Sequence, residues 1–314
     1  MIEKEDIITC ESYKPLCDYV YSADNKTPKG GVVHVNMEEI PAFFECIDGN
    51  YEKYVVVSSC SDFGVCYQKE KPVWYDMGKW AKMMASPLIG YSGINLDARC
   101  NKSMCVESDK YSAKCYAYTS FTFPEIPVNV KHWFMTNSSL VPNEETTKIT
   151  VIPFGVAANA SNDIFEIAEQ ARNYEKLPKM YINWVNYTLE RMELKEYYRS
   201  LNADSVTIID EAKPYRAYLR DLAMHSIILS PQGNGIDCYR TLESLYMGSV
   251  PVVELSPTTI GMADLPLLIT KTMYGLRAKE LHSLYKQVKE QGRPLDKIKL
   301  SYWKNRFEEA RKEL

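Results

Sequence analysis

The sequence has no run of 18 or more apolar residues, so it offers no membrane-spanning helix. Its opening residues, MIEKEDIITC, are charged and lack the apolar core of a secretory leader. Basic residues are not in excess: 37 Lys and Arg stand against 41 Asp and Glu, a formal net charge of −4. That argues against general nucleic-acid binding, which needs a basic surface, and leaves room only for a local basic patch. No C-x2-C unit is present. Cys60 and Cys66 are six apart, and Cys100, Cys105 and Cys115 make no zinc-type spacing. Internal repeats and low-complexity runs are absent as well.

What is present is ordinary globular composition, 46% hydrophobic and 25% charged. A chain of 314 residues fits two domains, at roughly 100–200 residues each. Nine cysteines occur, eight of them before residue 116. An odd number without a leader favours reduced thiols and a cytoplasmic protein. The clustering keeps a disulfide framework as the alternative. Glycosylation-type sequons occur at Asn25, Asn101, Asn137, Asn159 and Asn186.

The two halves differ in texture. Residues 1–150 are rich in Cys, Tyr, Ser and Asn. Within them Tyr54–Ser58 (YVVVS) reads as a buried strand and Val32–Val35 as a weaker one. Asp76–Met84 reads as a helix and residues 95–120 as loop. From residue 179 the pattern turns regular. Strands are expected at Met180–Val185, Val206–Ile209, Ile227–Ser230, Val250–Val253 and Leu267–Ile269. Helices are expected at Glu190–Leu201, from Pro214 to about His225, at Tyr239–Met247, from Ala278 to about Gln291, and at Tyr302–Leu314. Such alternation implies right-handed βαβ units and a parallel sheet. The boundary falls near residue 155. Val151–Pro153 ends an apolar strand there, Phe154-Gly155 bends the chain, and Ala157–Asp163 is small and polar. This gives a domain over 1–155, a second over 156–300 and a closing helix over 301–314.

The segment richest in chemistry is LSPQGNGIDCYRTLESLYMGSVPVVE, residues 229–254. A strand runs through Pro231 into Gly233 and Gly235, then into a helix and a further strand. Glycines at a strand-to-helix turn let backbone approach a ligand closely. The helix start beyond them favours an anion, phosphate above all. A plain tight turn is the alternative. Arg240 lies near the first turn of that helix, where a cation opposes the helix dipole unless it meets an anion. Glu243 shares its face three residues on. Either the two form a structural salt bridge, or Glu243 accepts hydrogen bonds from ribose hydroxyls.

The run SPQGNGIDCYRTLESLYMGSVPVV resembles the signature of exostosin-like glycosyltransferases. In that family a strand, a G-x-G turn, an Asp, an Arg, a Glu and a G-x-x-P strand follow in this order. Weaker matches are Trp133-Phe134 with Asn137, VIPFGV at 151–156, YINWVNYTLER at 181–191, and Tyr302-Trp303 with Arg306-Phe307. Residues 1–120 match only around SDFGV at 61–65. The chain is similar to short stand-alone members from microbes and large DNA viruses. The resemblance implies an α/β protein of GT-B architecture, two Rossmann-like domains facing across a cleft. The donor would sit on the C-terminal domain and a glycan acceptor on the N-terminal one. It implies a UDP-sugar donor, inverting transfer and a donor-binding set of Arg191, Lys195, Ser230, Gly233, Asn234, Gly235, Asp237, Arg240 and Glu243. No D-x-D motif occurs, which fits a site without metal or other cofactor, where amides and arginines meet the leaving diphosphate.

Arg191 opens a helix beyond a strand, where its planar fork suits a pyrophosphate; a surface residue is the alternative. Lys195 shares its face. A donor facing this loop would leave no room for a glycan on Asn186. Asp62 follows the strand 54–58 in a Gly-containing loop, suited to a general base; a loop carboxylate capping its own backbone is the rival. Asp76 and Asp97 are weaker candidates. His34, His132 and His225 read as structural or surface residues. Two other functions stay open. One is a nucleotide-sugar epimerase or hydrolase of the same fold. The other is a glycan- or nucleotide-binding module without turnover.

Overall fold

A computed structural model describes residues 2–22, 24, 29–59, 88–89, 126–138, 148–184, 189–233 and 235–314. The protein is mixed α/β and built on two parallel sheets. The first contains β1 (Tyr19–Val20), β2 (Gly31–His34), β3 (Tyr54–Ser58), β5 (Val130–Met135) and β6 (Ile149–Val151), in the order β1-β2-β3-β5-β6. The second contains β4 (Leu88–Ile89), β7 (Leu177–Asn183), β8 (Val206–Ile209), β9 (His225–Leu229), β10 (Val250–Glu254) and β11 (Leu268–Thr270), in the order β4-β11-β10-β9-β7-β8. All strand pairings in both are parallel.

Parallel strands covered on both faces read as continuous apolar runs. β3 (YVVVS) and β9 (HSIIL) show why: every residue of each is buried. Alternation then sorts their side chains. Val55 and Val57 join a core shared with Tyr181, Ile228 and Val253 of the second sheet, while Tyr54 and Val56 face the core under α1 (Ile40–Ile47). The shared core also takes side chains from α2 (Ser161–Ala171), α4 (Tyr215–Met224), α5 (Tyr239–Tyr246) and α8 (Leu300–Arg311). α3 (Leu189–Ser200) and α7 (Ala278–Glu290) cover the other face of the second sheet, and α6 (Pro257–Gly261) lies between β10 and β11.

The regular second half follows the sequence pattern within one to three residues at each end. Other elements escape it. α1 holds IPAFFECI in a segment with no expected period, β5 and β6 were visible only as fragments, and α2 starts inside the stretch read as a polar boundary. The chain crosses between sheets at Phe154-Gly155. Gly155 has φ +92, and an added Cβ would stand 2.7 Å from the Thr9 backbone carbon, so glycine is required there on two counts. α8 returns to the first sheet, where Phe307 packs 4.7 Å from Phe134 and 6.1 Å from Tyr13, centroid to centroid. The expected helix 76–84 and loop 95–120 lie outside the described residues.

The order β8-β7-β9-β10-β11 reverses direction between β7 and β9. In open parallel sheets a crevice opens at such a switch point, beyond the carboxyl ends of the strands.

Candidate functional site

β9 delivers the chain into Ser230-Pro231 and the glycine turn, which closes with the Gly233 amide donating to the Gly235 carbonyl at 3.0 Å. Neither glycine adopts a left-handed backbone. Their reason is space. A Cβ on Gly233 would stand 2.7 Å from Arg191 Nη2, and one on Gly235 would stand 2.8 Å from Asn137 Nδ2. The sequence leaves these glycines to close approach of a ligand or to a plain tight turn; in the structure two side chains take up the space beside them.

Arg191 braces the turn from α3. Its Nε donates to the Gln232 carbonyl at 2.9 Å and its Nη2 to the Pro231 carbonyl at 3.2 Å. Asn137 braces it from the end of β5, in a left-handed conformation (φ 51). Its Oδ1 accepts the Asp237 amide at 2.8 Å. Asp237 in turn accepts the Phe154 amide at 3.0 Å and the Cys238 amide at 2.8 Å. Burial pushes the Asp237 carboxyl up to about 6, against the pull of those donors. Ser230 lies inside the turn, 3.2 Å from Thr241 Oγ1. Ser230, Gly233, Gly235 and Asp237 are thus buried, and they join the glycine turn to the end of the first sheet. Asn234 lies outside the described residues.

In front of the turn, at the switch point, opens a cavity of about 350 Å³. Among the described residues, Arg191, Arg240 and Lys213 bring three cations to its lining and Glu243 brings the one carboxylate, an excess of two positive charges. Trp184, Tyr215, Tyr218 and Tyr239 supply aromatic walls, and Asn183 an amide. Arg240 donates from Nε to the Asn183 carbonyl at 3.0 Å, and its guanidinium carbon lies 5.8 Å from the Trp184 ring centre. Glu243 accepts the Tyr215 hydroxyl on one oxygen and the Tyr218 hydroxyl on the other, both at 2.9 Å. Burial raises its pKa; the two phenols and the field of Arg240 work against that rise. Arg240 therefore acts on Glu243 through its field, while each makes its hydrogen bonds elsewhere.

Three expected donor-site residues, Arg191, Arg240 and Glu243, are brought together on the cavity. Lys195 is not. It is buried beneath Trp184, donates to the carbonyls of Trp184 and Ile209 at 3.2 Å each, and lies 3.6 Å from Asp210. Its pKa is lowered by that burial. Asn183, Trp184, Lys213, Tyr215, Tyr218 and Tyr239 were not singled out from sequence. The Tyr215–Tyr218 spacing of three on a helix was the available sign that both rings share a face. Phe154, at the chain crossing, stacks on Tyr239 with centroids 5.2 Å apart and planes at 11°, so the cavity wall adjoins the carboxyl end of the first sheet.

Asp62, Asp76 and Asp97 lie outside the described residues, as does Asn186. His34 ends β2, fully buried, with Nε2 2.9 Å from Ser59 Oγ and its pKa pushed down to about 4 by burial. His132 and His225 bond to Thr150 and Thr207. The sequon residue Asn137 is buried and hydrogen-bonded, so it carries no glycan in the folded protein. Cys17 and Cys238 are free thiols. Among the described residues no cluster of three or more His, Cys, Asp or Glu is arranged to hold a metal, and no helix is long and apolar enough to cross a membrane.

Residues 183–305 match the family model of the RXYLT1 C-terminal domain, and this similarity, to an exostosin-related group, points to a glycosyltransferase. The matched range includes every described residue that lines the cavity and leaves the first sheet outside it. No curated protein matches the chain.

Proposed function

We propose that the protein is a GT-B glycosyltransferase that moves a sugar from a UDP-sugar to a hydroxyl of a glycan acceptor, with inversion and without a metal. The observation that supports this best is the cavity itself. It lies at a switch point of a parallel sheet, has an excess of two cations, and is walled by aromatic rings. A nucleoside diphosphate needs those three properties together: a crevice at strand ends, cations for phosphate, and flat apolar surfaces for the nucleoside.

In this reading the diphosphate faces Arg191, Arg240 and Lys213. Glu243 accepts a ribose hydroxyl on lone pairs left by Tyr215 and Tyr218, since a carboxylate offers about four acceptor positions. The glycine turn serves the donor indirectly, by giving Arg191 the room to stand where it does. A carboxylate of the first domain, Asp62, takes the proton of the acceptor hydroxyl as its oxygen bonds to the anomeric carbon. The bond from that carbon to the diphosphate breaks, and UDP leaves with the electron pair, its charge met by the three cations. The division at 1–155, 156–300 and 301–314 and a cytoplasmic location belong to the same proposal.

The test is incubation with a panel of UDP-sugars, following UDP release with and without glycan acceptors. Acceptor-dependent release supports transfer. Release without acceptor makes the protein a hydrolase. Conversion of the sugar without release makes it an epimerase, and binding without turnover makes it a recognition module.

A further inference from the structure

Of the three cations on the cavity, Arg191 and Arg240 are held by backbone carbonyls. Lys213 is held differently. It lies on the loop between β8 and α4, its side chain about one-third exposed, and its ammonium ion-pairs with Asp221 of α4. Asp221 is not part of the cavity lining and is itself 15% exposed. The same carboxylate oxygen that meets Lys213 also accepts the Tyr181 hydroxyl at 2.8 Å. That hydroxyl accepts from Asn183 Nδ2 at 3.0 Å, and the Asn183 carbonyl is the acceptor for Arg240. One buried-side carboxylate therefore reaches two of the three cations, one directly and one through Tyr181 and Asn183.

We propose that Asp221 is a positioning residue for the anion half of the donor site, acting chiefly by fixing the Lys213 ammonium at the cavity. This rests on the reading of the cavity as a UDP site. A lysine stem has four carbons and high rotamer freedom, so an unrestrained ammonium on a loop spends most of its time in water. Asp221 takes one of three ammonium donors and leaves the others for phosphate. An opposing effect exists. The carboxylate also lowers the positive potential at the cavity, so removing it strengthens the field on an arriving anion. The carboxylate stands one ammonium further from a bound phosphate than Lys213 does, so its field on the anion is weaker than the direct contact it secures. The positioning effect dominates.

The test uses UDP alone as the probe, with affinity measured by calorimetry at 0.15 M ionic strength, on the whole protein. Asp221→Asn keeps an oxygen for the Tyr181 hydroxyl and removes the charge that holds Lys213. It is expected to weaken UDP about five- to tenfold, and Lys213→Met by about tenfold. In the double variant the losses do not add: with Lys213 gone, Asp221→Asn changes affinity by less than about twofold. Asp221→Glu restores part of the affinity. A general disturbance of the fold would instead give additive losses. Unchanged or tighter UDP binding in Asp221→Asn, or full additivity with Lys213→Met, overturns the proposal. Should Asp221→Asn fail to fold, Lys213→Met alone decides, since unchanged affinity there overturns it too. Failure of the unaltered protein to bind UDP overturns the donor-site reading and this inference with it.

Discussion

Alanine at Gly233 and alanine at Gly235 should differ in their effect on UDP, although a single residue separates the two glycines in the same turn. At Gly233 the new methyl would stand 2.7 Å from Arg191 Nη2, the far end of a long side chain that can swing away. At Gly235 it would stand 2.8 Å from Asn137 Nδ2 and 3.1 Å from the Asp237 carbonyl. Asn137 cannot swing, because its amide oxygen holds the Asp237 amide at 2.8 Å in a fully buried position. Overpacking of that kind costs about 1–3 kcal/mol. For a chain of 314 residues unfolding as one unit, an entropy of about 2.1 cal/mol/K per residue makes each kcal/mol worth about 1.5 °C, so Gly235→Ala should lower Tm by about 2–5 °C. Gly233→Ala should weaken UDP binding about tenfold or more, because Arg191 gives up its bonds to the carbonyls of Pro231 and Gln232, and the loss of those charged bonds brings a Tm loss of similar size. Differential scanning calorimetry and UDP titration on both variants check this. Equal UDP affinity in the two variants would refute the argument that the glycines make room for two different kinds of neighbour.

Glu243→Ala should weaken UDP by about 1–3 kcal/mol, the cost of a charged hydrogen bond; unchanged affinity in the folded variant would remove Glu243 from the ribose. Turnover should survive EDTA, and an absolute, restorable need for Mn2+ or Mg2+ would count against the proposed phosphate site. Asp62→Asn should cost at least about 10²-fold in turnover with UDP binding nearly intact; near-normal turnover passes the role to Asp76 or Asp97. Asp237 has its folded pKa raised from 3.8 to about 6, so its stabilising share is fully present below pH 3.8 and is lost as pH rises through about 6. The share is up to about 3 kcal/mol at 1.36 kcal/mol per unit. Urea midpoints of Asp237→Asn and the unaltered protein, compared from pH 4 to 7, should diverge over that window, and parallel curves would disprove the shift.

The second sheet was legible in the sequence because its strands are short apolar runs between helices of regular period. Val206–Ile209 coincides with the observed strand, and Pro214 does precede a helix. The first half gave less. α2 begins with Ser161, Asn162 and Asp163, which read as loop residues although the same types open helices. In the site, the order Gly, Gly, Arg, Glu located the right turn and helix. It could not distinguish residues that line the cavity from those that build its back wall, because that difference depends on long-range partners. Asp237 is tied to Phe154, 83 positions away, and Gly235 is shaped by Asn137. Lys195 shared a helix face with Arg191 in the sequence, but one helical turn moves it from the cavity to beneath Trp184.

Asn137, Phe154 and Asp237 also set a limit on modularity. The stretch similar to a known domain runs from 183 to 305, and as an excised fragment it would hold every described residue on the cavity lining. It would lack both groups that fasten the glycine turn from outside, the Asn137 amide and the Phe154 N–H. Asp237 would then face water, and Tyr239 would lose its stacked ring. The matched half is therefore no interchangeable cassette. Its geometry is completed by the half that precedes it, and any graft of this site onto another scaffold must carry the end of β5 and the Phe154-Gly155 crossing along with it.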